Sequence, residues 1–241
     1  MKKITSLLSF VLVLMISTQT YSQFRFGVKT GLNISNMRVS GFTGVTESSR
    51  ISFHIGANVD FSFTKSFSLE SGLLLSSKGA NFDRDLYTDN TTKVIENTTL
   101  TPLYIELPIN AVYKVDFKPI KLLIFAGPYL GIGVGGNRVI EHEATGLPAG
   151  VSLADAVNWC IQNLHNTVQD GTTGLKYGSN SADDLKSFDF GLNFGAGIEF
   201  YNFQFRLQYG LGLANLNPTT ANNEILKNNV FGISVGYMFG K

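Results

Sequence analysis

The sequence predicts an all-β chain: an eight-stranded antiparallel up-and-down transmembrane β-barrel with a short amphipathic helix in the long extracellular loop. Three observations carry this expectation. Eight stretches of about ten or more residues alternate apolar with small or polar side chains. The links between them alternate short and long, and aromatic residues gather at the ends joined by the short links. Successive side chains of a strand point to opposite faces, so regular alternation marks two unlike faces. An even number of strands of about ten residues, with short turns on one side only, is what a bacterial outer-membrane barrel needs.

The elements follow in chain order. Residues 1–22 read as a cleaved signal peptide: Lys2 and Lys3 precede the apolar run ITSLLSFVLVLMIS, and a small residue, Ser22, closes the segment. The run is shorter than the ~20 residues of a spanning helix. Residues 23–241 then form the barrel domain. In its first strand Phe24, Phe26, Val28, Leu32 and Ile34 share one parity, with Arg25, Lys29 and Asn33 on the other. ISFHIGANVDFSF (51–63) sets Phe53, Ile55 and Val59 against His54, Asn58 and Asp60. FSLESGLLLS (67–76) sets Leu69 and Leu73 against Ser68 and Glu70. LYIELPINAVYKV (103–115) sets Ile105 and Leu107 against Glu106 and Lys114, and LLIFAGPYLGIGV (122–134) sets Leu130 and Ile132 against Tyr129 and Gly131. Pro108 and Pro128 fall mid-strand, where a missing N–H predicts a bulge or kink. The last three strands are FDFGLNFGAGIEF (188–200), FQFRLQYGLGL (203–213) and VFGISVGYMF (230–239).

The face opposite the apolar one decides between a water-soluble barrel and a membrane barrel. A solvated face would carry many Lys, Glu and Thr. Here it is rich in Gly, Ser and Asn, with thinly spaced charges of both signs. That suits the interior of a small barrel, where side chains fill the space. The apolar face then meets lipid, and closure satisfies the backbone. Composition agrees: 15% of residues are charged, against about 25% in an ordinary soluble chain. The net charge of +1 gives no footprint for nucleic acid. Cys160, the single cysteine, excludes an internal disulfide.

Candidate functional residues fall into two groups. Lys29, Asp60, Glu70, Glu106, Glu199 and Arg206 lie on the inward parity, with Arg25 and Lys114 nearer the short-turn end. They read as an ion path or as a salt-bridged plug, and the near balance of signs favours the plug. In SLADAVNWCIQNLHNTV (152–168), Leu153, Val157, Cys160, Ile161 and Leu164 recur at helical spacing behind Ser152 and Asp155, a capping pattern. This helix reads as a lid on the barrel mouth or its own loop, or as a docking face for a partner. Cys160 and His165 are five apart, off the spacing that aligns metal ligands on a helix. His142, Glu141 and Glu143 are far from them in sequence, so no metal and no cofactor is expected. His54 and Ser52 point inward without a motif joining them to an acid, so no catalytic residues are expected.

YIELPINAVYK (104–114), FAGPYLGIGVGG (125–136) and FGVKTGLNISNM (26–37) resemble boxes of a Bacteroidetes-type outer-membrane β-barrel family, described as porin-family or PorT-like. The resemblance implies the fold and the Gram-negative outer membrane, and brings no catalytic residues. The long insert near 136–184 departs from the family's pattern. The expected function is non-enzymatic: a closed barrel in contact with outer-membrane lipid, whose extracellular loops bind a ligand or partner or support the envelope. Two alternatives stand beside it. One is a narrow pore for small solutes. The other, implied by the resemblance, is an accessory component of an outer-membrane protein secretion system, with envelope proteins as partners.

Overall fold

A computed structural model of the chain describes residues 23–42, 44–165, 167–219 and 224–240. The expected signal peptide, 1–22, lies outside them. Eleven strands and one helix follow along the chain: β1 (Phe24–Ser40), β2 (Val45–Ser48), β3 (Arg50–Ser62), β4 (Phe67–Ser77), β5 (Ala80–Thr88), β6 (Lys93–Phe117), β7 (Ile120–Thr145), α1 (Leu153–Leu164), β8 (Gly171–Gly174), β9 (Phe188–Phe200), β10 (Phe203–Gly212) and β11 (Ile225–Phe239). All strand pairings between them are antiparallel.

Eight strands close a ring in the order β1, β3, β4, β6, β7, β9, β10, β11, with β11 back on β1. The remaining three extend it outward. β5 continues β4 along the outer half of β6, β2 pairs with β5, and β8 pairs with β7. The long links of the alternating pattern, at 38–50, 80–100 and 136–184, are therefore partly sheet.

The two faces fall as the alternation predicts. Phe26, Ile51, Leu73 and Phe188 point outward and are each more than 60% exposed. Asp60, Glu70, Asn110, Asp189, Glu199 and Arg206 point inward and are at most 3% exposed. Charged groups inside and a greasy outer wall make sense only where lipid replaces water as the outer solvent. Among the described residues no helix is long and apolar enough to cross a membrane; strands do the crossing.

Aromatic pairs line the short-turn end: Phe24–Phe61, Phe67–Tyr113 and Phe203–Tyr237, with ring centroids 4.6, 4.8 and 5.1 Å apart. They form the interfacial girdle of a membrane barrel. Glycines on the inner wall make room for larger neighbours. A Cβ on Gly195 would stand 2.6 Å from the Phe125 ring, and one on Gly133 2.2 Å from the Tyr177 ring.

The prolines do not produce the expected bulge. On the β4–β6 ladder, partners resume in the same register on both sides of Leu107 and Pro108. The same holds on β6–β7 beside Pro128. A missing N–H opens one rung and needs no extra residue. The register shift on this hairpin lies instead at Leu103/Tyr104.

Candidate functional site

The inward charges stack in three layers between the short-turn end and the outer mouth. In the lowest, the Arg25 guanidinium donates to both oxygens of Glu199, each at 2.9 Å. Lys121 and Gln204 also donate to Glu199, at 3.0 and 2.7 Å. Lys114 Nζ donates to Asp60 at 2.8 Å, and the Ser68 hydroxyl to Asp60 at 3.1 Å. In the middle layer Arg206 holds Glu70 with two parallel bonds of 2.7 and 2.5 Å, its guanidinium 5.1 Å from the Phe125 ring centre. Such a fork is the strongest ion-pair geometry available to these side chains.

The third layer centres on Lys78, at the break between β4 and β5. Its ammonium lies 2.7 Å from Glu106 and 3.0 Å from Asp189, and 4.2 Å from the centre of the Tyr129 ring. Asn228 adds a 2.9 Å bond to Asp189. Sequence reasoning did not single out Lys78, Asp189 or Asn228.

The six lumen residues read from sequence all lie buried on the inner wall. Glu70 and Arg206 meet directly. Asp60 and Glu199 meet through Arg25 rather than each other, and Lys114 pairs with Asp60. Glu106 meets Lys78. Lys29 makes no ion pair or hydrogen bond among the described residues. It feels Glu70 and Glu106, and it lines with Asn33, His54 and Gln208 a cavity of about 20 Å³, room for one water-sized sphere. His54 Nδ1 faces the Asn33 amide oxygen at 2.8 Å, not an acid.

Above the third layer the lumen is filled by apolar side chains. Leu175 and Leu185 from the loop after β8, and Leu216 from the loop after β10, pack with Met37, Leu100 and Leu226 of the wall. The Tyr177 hydroxyl ties this loop to the Gly135 carbonyl at 2.8 Å, and Arg138 ties it again through Asp184 at 2.8 Å.

The helix lies elsewhere. Its N-cap is the expected capping box: the Asp155 N–H donates to the Ser152 hydroxyl, and the Ser152 N–H donates to the Asp155 carboxylate. It ends at Leu164, followed by His165 in the left-handed region, so 165, 167 and 168 are not helical. Val157 and Cys160 are its buried residues, and Cys160 packs on Leu86 and Val94 of the β5–β6 hairpin. Ile161 is half-buried, while Leu153 and Leu164 are exposed. The packed stripe is thus narrower than the spacing suggested, because Leu86, Val94 and Ala144 of β5, β6 and β7 meet only the middle of the helix. The seal on the lumen comes from the 175–187 and 213–217 segments.

The residues weighed for a metal are apart. Cys160 is in the apolar cluster, and His142 sits in a polar chain with Asp170 and Thr167. His142 Nδ1 is 2.5 Å from Asp170, and its Nε2 is 2.8 Å from the Thr167 hydroxyl. The outline is that of a nucleophile–base–acid triad. The Thr167 hydroxyl also donates to Glu96. It has one proton, and a carboxylate is the stronger acceptor. His142 is then left to donate to Thr167, which is the wrong direction for activating a nucleophile.

A family model described as outer membrane protein beta-barrel domain matches residues 17–217. The chain belongs to this family. As a member of the outer membrane protein beta-barrel domain family it resides in the cell outer membrane. No curated protein matches its sequence. Among solved structures it is similar to Ail, the attachment invasion locus protein of Yersinia pestis, at 11% identity and a TM-score of 0.37, covering 90% of this chain and 99% of that one. The outer membrane protein OprG from Pseudomonas aeruginosa gives 12% and 0.35, covering 90% and 95%. The outer membrane protease OmpT from Escherichia coli gives 9% and 0.41, covering 92% and 99%.

Proposed function

We propose that this family member is a closed, non-enzymatic barrel whose extracellular lobe binds a ligand or partner. The observation that carries the reading is the filled lumen: three layers of paired charge below an apolar seal. An eight-stranded barrel is just wide enough for its own side chains. What remains accessible is the lobe formed by β5, the outer ends of β6 and β7, α1 and the 146–187 loop. The deciding experiment is single-channel recording of the refolded protein in a planar bilayer. Silence is expected from a folded, heat-modifiable barrel. Discrete repeatable steps would mean a water path between the layers, and the narrow pore would replace this reading.

The non-enzymatic part rests on two hydrogen-bond pairings. His54 faces an amide, and the Thr167 proton goes to Glu96. Peptide or lipid turnover lost in His142→Ala or His54→Ala would overturn it. The boxes at 104–114 and 125–136 support a finer affiliation, to the Bacteroidetes-type, PorT-like branch. On that reading the lobe's partner is an envelope or secretion-system protein, and co-purification with larger envelope complexes is the test.

A further inference from the structure

We propose that the cleft between α1 and the β5–β6 turn is a binding site for a quaternary ammonium group, carried by a small soluble ligand of choline type. The inference rests on the reading that the lobe is the working part of the molecule. The cleft encloses about 380 Å³, and Tyr87, Asp89, Val94, Pro148, Asp155 and Trp159 are among its lining residues. Tyr87 and Trp159 stand edge to face, ring centres 5.5 Å apart and planes at 73°. Trp159 is 47% exposed although it is the largest apolar side chain of the helix. An aromatic pair open to water beside apolar walls attracts cations through the negative ring faces.

Charge complementarity selects the cation. Residues 81–99 and 137–187 carry ten carboxylates against five Lys and Arg. Three of those cations are already paired: Arg84 with Glu96, Lys93 with Asp85, Arg138 with Asp184. The cleft itself is lined by two carboxylates and by no Lys or Arg. Hydrogen bonds from the Thr92 and Thr91 N–H groups hold the Asp89 carboxyl down at about 2, so it is ionised throughout the physiological range.

Hydrogen bonding selects the kind of cation. Asp89 already accepts from the Thr91 and Thr92 N–H groups, the Thr91 hydroxyl and the Tyr87 hydroxyl. Asp155 accepts from the Ser152 N–H and hydroxyl. Asp89 supplies charge with both oxygens already bonded, and Asp155, bonded through Oδ2, leaves one open carboxylate oxygen. A primary ammonium brings three donors that need partners. A quaternary ammonium brings none, and its methyl groups suit the apolar walls.

The chain has one tryptophan, so its fluorescence reports this cleft alone. The test titrates the refolded full chain, in maltoside micelles free of choline lipids, with choline. The comparison ligands are 3,3-dimethylbutan-1-ol, its neutral isostere, and lysine at matched ionic strength. The expected result is a saturable emission change with choline alone, with a midpoint on the order of millimolar. Asp89→Asn and Tyr87→Ala should each weaken it about tenfold while the barrel stays heat-modifiable. No saturable change overturns the proposal. An equal response to the isostere overturns it too, since the cleft is then only apolar; an equal response to lysine overturns the quaternary assignment. If a variant unfolds the lobe, the wild-type choline–isostere comparison decides alone. Conductance separates the two proposals: a silent barrel that ignores choline removes only this site, whereas a conducting barrel removes the closed-barrel reading.

Discussion

In the lumen, six cations described above face five carboxylates: Arg25, Lys29, Lys78, Lys114, Lys121 and Arg206 against Asp60, Glu70, Glu106, Asp189 and Glu199. In the outer lobe, ten carboxylates face five cations over 70 residues of sequence. The lumen charges other than Arg25 and Lys121 are buried, and most are held in forks or multiple contacts. The lobe's ion pairs are partly solvated, and among the described residues its surplus carboxylates have no Lys or Arg partner. Balance in a dry space holds walls together, because an unpaired charge there costs several kcal/mol. Surplus at a wet surface costs little and leaves a field that outside molecules can feel.

The largest expected effect comes from unbalancing the lumen. Arg206→Ala strands Glu70, which is 1% exposed, and should cost about 3–5 kcal/mol in urea unfolding of the refolded barrel. Replacing both partners, Arg206→Met with Glu70→Leu, should recover most of that loss. If the single variant unfolds like wild type, the middle layer is not holding the walls. Lys78→Met should cost a similar amount, about 3–5 kcal/mol: Asn228 still donates to Asp189, but Glu106, 4% exposed, loses its one ion pair among the described residues.

A change in the lobe should stay in the lobe. Cys160→Ser puts a hydroxyl among Leu86 and Val94 and should weaken the helix docking by about 1–3 kcal/mol. Limited proteolysis should then cut faster within 146–187, while the heat-modifiable shift of the barrel is unchanged. A barrel that loses its shift would mean the two regions fold as one. The smallest effect concerns pH. The folded Asp89 carboxyl titrates at about 2, below its ordinary value near 4. Its support of the β5–β6 turn is therefore complete above about pH 4 and is lost only as pH falls through about 2. Amide exchange at Thr91 and Thr92 should remain slow at pH 4; fast exchange there would show that the carboxylate is not holding the turn.

The contrast also explains what could be read from sequence. Alternation set the faces of all eight ring strands, because a period of two is local and needs no knowledge of partners. Lys78 escaped because it sits where the alternation breaks. Gly79 follows at φ +118°, and a Cβ there would stand 2.1 Å from the Leu100 carbonyl oxygen. A lysine beside an obligatory glycine at the end of an alternating run was the available signal. Asp189 lay in view on the polar parity of 188–200, but its partners come from 111 and 39 residues away. The lobe was less legible still. The helix cap is written in Ser152 and Asp155, four adjacent positions. Which residues the helix covers depends on where the hairpin runs, and that left Leu153 and Leu164 in water.

The β6–β7 hairpin has one more consequence. Its strands pair from Phe117 and Ile120 to Lys93 and Thr145, some ten residues beyond Leu103 and Gly135, where the run of outward apolar side chains ends. At about 3.3 Å per residue and a tilt near 40°, this extension rises roughly 25 Å above the hydrocarbon. Trp159 and Tyr87 therefore stand on a mast. Headgroups of the protein's own leaflet lie well below them. What meets the aromatic pair first is whatever drifts past in the surrounding fluid or is carried on an approaching surface, so height alone filters candidates before any contact is made.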